Sequence, residues 1–364
     1  KAMQHAKKAL QIAQQASDKT AIAAAHAIWG YALTIRGDMQ QALPHFDEAL
    51  ILHQTLDEPE AHISLLLNHA TALRMIASHP DALTTIQSAL ILMEKNADKT
   101  AQVRALGELA VLHHEQGNSA DAVVYYAQAL AMARAIGYRY QEAIMLVNWG
   151  NLLWFQGEIN QTLINYEAAS VIFNELGNTH QEAQMRANLA SFLLNPFADF
   201  AASQEHAEWA LAQFRQMKDL IGVGQTLAVL GSIALETGNL EQSHRYLMEA
   251  IEALHRSAGT SYIFVMVLRD AALTALERQQ PQEALAFVDD ALAICDESGM
   301  ADITVSLTAI RGVALLHLDR LREAFEATGT AMAMLHGGID QGYLIPWWHS
   351  QTLTALGRDG EAAQ

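Results

Sequence analysis

The chain has 364 residues, of which 22 are Lys or Arg and 40 are Asp or Glu, giving a formal charge of −18, and 51% are apolar. An acid excess of this size argues against a nucleic-acid surface, because neutralising phosphates takes clusters of Lys and Arg, and a lone cysteine, Cys295, excludes a disulfide framework or a cysteine-based zinc knuckle. No apolar run reaches the roughly 18 residues of a membrane span and no charged-then-apolar leader opens the chain, so the expectation is a cytoplasmic protein engaging neither membrane nor nucleic acid.

In chain order, one pattern recurs: a small residue, a bulky or apolar one four later, and a small one seven later. Ala42/Phe46/Ala49, Ala82/Ile86/Ala89, Ala122/Tyr126/Ala129, Thr162/Tyr166/Ala169, Ser243/Leu247/Ala250 and Ala284/Val288/Ala291 carry it in full. Ala2/Ala9 and Ala324/Ala331 extend it to both ends, and successive starts lie 40 or 41 residues apart. Twelve residues before each start stands a second small residue: Gly30, Ala70, Ala110, Gly150, Gly231, Ala272 and Gly312, with Ala190 one further out. Spacings of i, i+4, i+7 place each set on one helical face. Small residues at fixed points let two helix backbones approach, and the bulky residue fills the adjoining gap. Each unit therefore reads as a hairpin of two helices, A and B, interlocked at Gly or Ala.

Gly37, Gly117, Gly157, Gly238 and Gly357 fall five residues before the B-helix pattern, where a left-handed residue closes helix A; Gly137, Gly177 and Gly299 close helix B in the same way. A hairpin repeated at fixed period is an α-solenoid. The reading is all-α, with about nine repeats in one domain over 1–364 and an irregular unit at about 180–218. In that unit Pro196 should end helix A early, and the segment forms either a tolerated insertion, a hinge, or a contact point through Phe197 and Phe200. The pattern is already under way at Ala2 and starts a new unit at Gly357, as expected of a segment of a longer protein.

Leu146-x2-Trp149-Gly150-x2-Leu153 followed by Thr162-x3-Tyr166, and His26-x2-Trp29-Gly30-x2-Leu33 followed by Ala42-x3-Phe46, resemble the tetratricopeptide repeat (TPR) over nearly the whole chain. The period is about six residues longer than the usual 34, and the closing proline is mostly absent. That is similar to the long-repeat arrays of kinesin light chains and of large bacterial regulators of the maltose-activator type. The resemblance implies a right-handed superhelix whose A helices line a concave groove.

Asn68, Asn148 and Asn188 share one position, two before the small marker. The resemblance implies that asparagines here grip an extended peptide, since a primary amide offers both a donor and an acceptor; otherwise they face a solvated groove. Tyr31 and Asn151 follow the marker by one, Arg74 and Trp154 by four, and Arg104 and Arg269 lie on neighbouring turns. The three arginines suggest a patch for a carboxylate, or else each pairs with a nearby Glu. Trp154 with Asn148 and Asn151 forms the most pocket-like stretch, suited to a peptide side chain or a sugar.

Titratable residues do not converge. His113-His114-Glu115 lacks the spacing that places two histidines on one helical face for zinc, and Cys295 has no neighbouring cation to stabilise a thiolate. No catalytic residue, metal or cofactor is expected. The leading expectation is a non-catalytic scaffold that binds a protein or peptide segment, as the recognition or sensor region of a larger bacterial regulator. The alternative is a domain that senses a small-molecule inducer such as a sugar, and a third is a spacer or oligomerisation element.

Overall fold

The computed structural model describes residues 2–96, 98–257, 261–298, 300–335 and 344–362, and every regular element among them is a helix. The chain divides into two compact units, 1–177 and 178–364. The first holds α1 (Ala2–Ala16), α2 (Lys19–Ile35), α3 (Met39–His53), α4 (Pro59–Met75), α5 (His79–Asn96), α6 (Lys99–Glu115), α7 (Ser119–Ala135), α8 (Arg139–Phe155) and α9 (Ile159–Glu175). The second holds α10 (Thr179–Phe197), α11 (Phe200–Met217), α12 (Leu220–Glu236), α13 (Leu240–His255), α14 (Ser261–Glu277), α15 (Pro281–Ser298), α16 (Ala301–His317), α17 (Leu321–Met334), α18 (Leu344–Ala355) and α19 (Asp359–Ala362). From α2 onward each even-numbered helix is a helix A and packs against the odd-numbered helix B that follows it, making the α-solenoid read from the repeat.

The marker residues explain the pairing. On helix A the small residue faces the bulky residue sixteen positions later on helix B. A Cβ added at Gly30 would come within 2.8 Å of the Phe46 ring, and one added at Gly231 within 2.7 Å of Leu247. Phe46 and the flanking Ala42 and Ala49 are fully buried, so the contact is close-packed and leaves no room for an added methyl.

Every A-to-B turn places one residue in the left-handed region, whatever its identity. Gly37 (φ 84°), Gly157 (φ 77°) and Gly238 (φ 76°) occupy it in some hairpins, and Ala77 (φ 58°), Gln279 (φ 57°) and Asp319 (φ 59°) in others. The amide after the left-handed residue bonds back five residues to close the helix, as in Asp38 N–H to Leu33 O at 3.0 Å and Glu158 N–H to Leu153 O at 2.9 Å. Gly137 and Gly177 close B helices as expected, while Gly299 lies outside the described residues.

The irregular unit differs in one respect from its sequence reading. Helix α10 does not stop before Pro196 but runs through it, spanning 19 residues and ending at Ala198 with φ 50°. A proline in the last turn forfeits a single intrahelical bond, and the end is closed by Ala198 N–H to Leu194 O (3.2 Å) and Asp199 N–H to Leu193 O (3.1 Å). Phe200 packs on the core of the second unit, and Phe197 rests edge-on against Phe192, ring centroids 5.7 Å apart.

In each unit the backbones of successive A helices approach one another more closely than those of successive B helices, which meet through side chains such as Arg215 and Glu249. The A helices are thus the more closely spaced layer, the inner wall of the stack. No helix among the described residues is long and apolar enough to cross a membrane.

Candidate binding face

In the first unit, several of the residues singled out on this wall are engaged with other side chains. Arg104 donates from Nη2 to Asn68 Oδ1 (2.8 Å) and from Nη1 to Ser64 Oγ (3.1 Å), tying α6 to α4. Thr71 donates to Glu108 Oε1 (2.9 Å), and Arg74 reaches Glu108 Oε2 (3.3 Å) and Glu115. Arg74 is 15% exposed, and its charge is answered by two carboxylates of the next A helix. Asn151 accepts from the Tyr166 hydroxyl at 2.5 Å. Trp154 is half-buried on α8, and Tyr31 on α2 is 51% exposed. Asn148 makes no side-chain hydrogen bond among the described residues: Val111 occupies the place from which Thr71 serves Glu108.

The same tie recurs in the second unit, where Ser232 donates to Asp270 Oδ2 at 3.2 Å. A hydroxyl one residue after the marker thus bonds an acid two residues before the next marker. Arg269 donates to Asp270 Oδ1 from Nε (3.0 Å) and Nη2 (2.8 Å), and is itself 9% exposed. Arg74 thus pairs with Glu108 and Glu115, Arg269 pairs with Asp270 rather than a Glu, and Arg104 bonds the neutral Asn68 and Ser64.

Asn188 stands in a different setting. It lines a cleft of ≈ 210 Å³ crossing α10, α12 and α14, bounded by Gln184, Ala187, Asn188, Ser191, Gln225, Ala228, Val229, Tyr262, Ile263, Met266, Val267 and Asp270. Gln184 donates to Asn188 Oδ1 at 3.3 Å. Among the described residues, the Asn188 amide N–H groups and the Gln184 carbonyl have no further partner, and Gln225 has none at all. The cleft is therefore lined by amides offering donors and acceptors beside the apolar Ala187, Ala228, Val229, Ile263 and Met266. Of the residues named from the sequence, Asn188 alone lines this cleft, and Arg269 holds its Asp270. Gln184, Gln225 and Met266 were missed although their signal was present. They lie six residues before the marker, one turn from the Asn68/Asn188 row, where Ser64 and Arg104 stand in the first unit.

Titratable groups elsewhere are absorbed by packing. His113 stacks on Tyr125 at 5.3 Å and His114 lies edge-on to Phe155 at 5.8 Å. Cys295 is buried, and burial pushes its thiol above its ordinary value. Among the described residues no group of three or more His, Cys, Asp or Glu is placed to hold a metal. Histidines gather on α2–α4. His26 and His45 meet Nδ1 to Nδ1 at 2.9 Å, His45 stacks on Trp29 at 4.4 Å, and His53 stacks on His62 at 5.6 Å.

Residues 60–135 match the tetratricopeptide repeat model. The chain carries a TPR array. No curated protein matches it in sequence. Among solved structures, a Rap protein complexed with competence and sporulation factor is 14% identical, with 94% of each chain covered and a TM-score of 0.62. Aspartyl phosphate phosphatase F from Bacillus subtilis is 12% identical, with 92% of this chain and 89% of that one covered and a TM-score of 0.59. A signal-transduction ATPase with a TPR sensor from Pyrococcus horikoshii is 13% identical, covering 90% of this chain and a TM-score of 0.63. The array spans 50% of that ATPase's length. At these identities the likeness is one of fold.

Proposed function

We propose that this array is a non-catalytic scaffold that holds an extended peptide segment of a partner protein on its A-helix wall, with the cleft of α10, α12 and α14 as the main seat. The observation that carries this reading is the set of amides with unused donors and acceptors on two successive A helices, α10 and α12, beside an apolar lining that α14 completes. A strand laid across them would meet backbone-matching groups at α10 and α12. Asn148 and Tyr31 are further candidates in the first unit, where Asn68, Arg74 and Arg104 serve the wall itself. The register of 40 or 41 residues, kept on both sides of the irregular unit, supports treating both units as one repeat array.

A small-molecule sensor is the weaker reading. Its residues were Asn148, Asn151 and Trp154, of which Asn151 is already bonded to Tyr166, and the ≈ 210 Å³ cleft falls short of the roughly 300–1,000 Å³ usual for a whole small ligand. A non-catalytic role fits the carboxylates and arginines of the wall, which spend their charge on one another. The phosphatase of like fold makes this a point to test by assaying phosphatase activity. The sensor array in the Pyrococcus horikoshii ATPase supports a place as the recognition region of a larger cytoplasmic regulator, bacterial by the earlier resemblance.

The test is to select binding peptides from a random display library against the whole chain, then measure their affinity for wild type and for Asn188→Ala/Gln225→Ala. A drop of tenfold or more with unchanged helicity is expected. Equal affinity would place binding elsewhere.

A further inference from the structure

The cleft also specifies what the bound segment must present. Its volume of ≈ 210 Å³ suits one side chain better than a ligand. The cleft is opened by small residues: Ala187 and Ala228 stand where larger side chains would close it, leaving Val229, Ile263 and Met266 as apolar walls. The charges at this place are committed. Asp270 receives Arg269 through two donors on Oδ1 and Ser232 on Oδ2, and Arg269 is itself buried. A charged side chain entering here would lose its water without gaining a free counter-charge, which is strongly unfavourable. The amides Gln184, Asn188 and Gln225 line the same cleft, with donors and acceptors that match a peptide backbone.

We infer that the cleft is a subsite for one large uncharged apolar side chain, such as Phe or Leu, of the bound segment, with these amides on the peptide groups either side of it. This rests on the peptide-holding reading above and specifies its anchor. Specificity comes from rejection of charge as much as from apolar contact.

The probes are N-acetyl amino-acid N-methylamides of Phe, Leu, Lys and Glu, each one side chain flanked by two peptide groups. The readout is the ε-methyl resonance of Met266 in methyl-13C-methionine protein, assigned through Met266→Leu. The Phe and Leu probes are expected to shift this methyl saturably, with dissociation constants on the order of 1 mM, as befits fragments of this size. The Lys and Glu probes are expected to bind at least tenfold more weakly. Ala228→Leu should fill the cleft and abolish the Met266 response while the other methionine methyls stay in place, which reports an intact fold. A Met266 methyl that ignores Phe and Leu, a Lys or Glu probe that binds as well, or a response that survives Ala228→Leu would each overturn the inference. Selected peptides that bind through Asn188 and Gln225 without an apolar anchor would sink the subsite alone. A Met266 response without any amide-dependent peptide would sink the peptide reading and keep the cleft's chemistry.

Discussion

The interlock between helices is most exposed to test at Gly150. A Cβ added there would lie 2.6 Å from Tyr166 Cε1, and the same ring carries the hydroxyl that donates to Asn151. The preceding hairpin shows a tyrosine without this bond, Val111 standing there in the place of Asn151 and offering no acceptor. There the marker is Ala110, facing Tyr126, and the Tyr126 hydroxyl is buried with no hydrogen-bond partner. Gly150→Ala should push Tyr166 toward that state. The substitution gains about 1 kcal/mol of helix propensity, loses about 1–3 kcal/mol to overpacking, and loses a further 1–3 kcal/mol or so if the hydroxyl is stranded. The net expectation is a destabilisation of about 3 kcal/mol. Urea unfolding followed by circular dichroism measures it, with hydrogen exchange across α8 and α9 to localise it, since repeat arrays need not unfold in one step. In a Tyr166→Phe background the cost should fall, because no hydroxyl remains to be stranded. A Gly150→Ala protein as stable as wild type, or an equal cost in both backgrounds, would refute the reasoning.

Two further outcomes follow from the same structure. His26, His45, His62 and His69 are each held below the ordinary 6.5, first by burial; His26 adds to the effect at His45 and His53 at His62, while Glu48 opposes it at His26 and Asp47 and Asp81 at His69. The unfolded chain then binds more protons, so stability is full above about pH 6.5 and falls as the pH drops below it; hydrogen exchange of α2–α4 should show lower protection at pH 5.5 than at 7.5, and unchanged or higher protection would contradict it. Ala77 sits exposed at φ 58°, so Ala77→Gly should raise stability by about 0.5–1 kcal/mol, whereas Gly37→Ala at φ 84° should lower it, both read from the urea midpoint.

The repeat was legible because its cause is local and periodic. A small residue every 40 or 41 positions, with a bulky one sixteen later, is the helix contact itself, and the left-handed glycines mark the turns directly. Pro196 misled because a proline's cost depends on how many turns follow it, which a single sequence does not state. The binding face was legible only as a row of positions. Asn68 and Asn188 occupy the same place in their repeats, yet one is held by Arg104 and the other lines a cleft. That difference comes from Arg104 on the neighbouring A helix in one unit, and from the small Ala187 beside Asn188 and Ala228 on the next A helix in the other. Side chains meeting across repeats have no signature within a repeat. The row of Gln184, Gln225 and Met266 was readable one turn away, had the same face been followed back.

The central claim is that the A-helix wall, and the cleft of α10, α12 and α14 in particular, is where a partner segment sits. Photo-crosslinking tests it most directly: benzoylphenylalanine placed at Val229 in the cleft, or at Ile91 on helix B, where the native side chain is 60% exposed, irradiated with a display-selected peptide. The account predicts a crosslink from position 229 and none from position 91. Crosslinking from position 91, with position 229 silent, would contradict it.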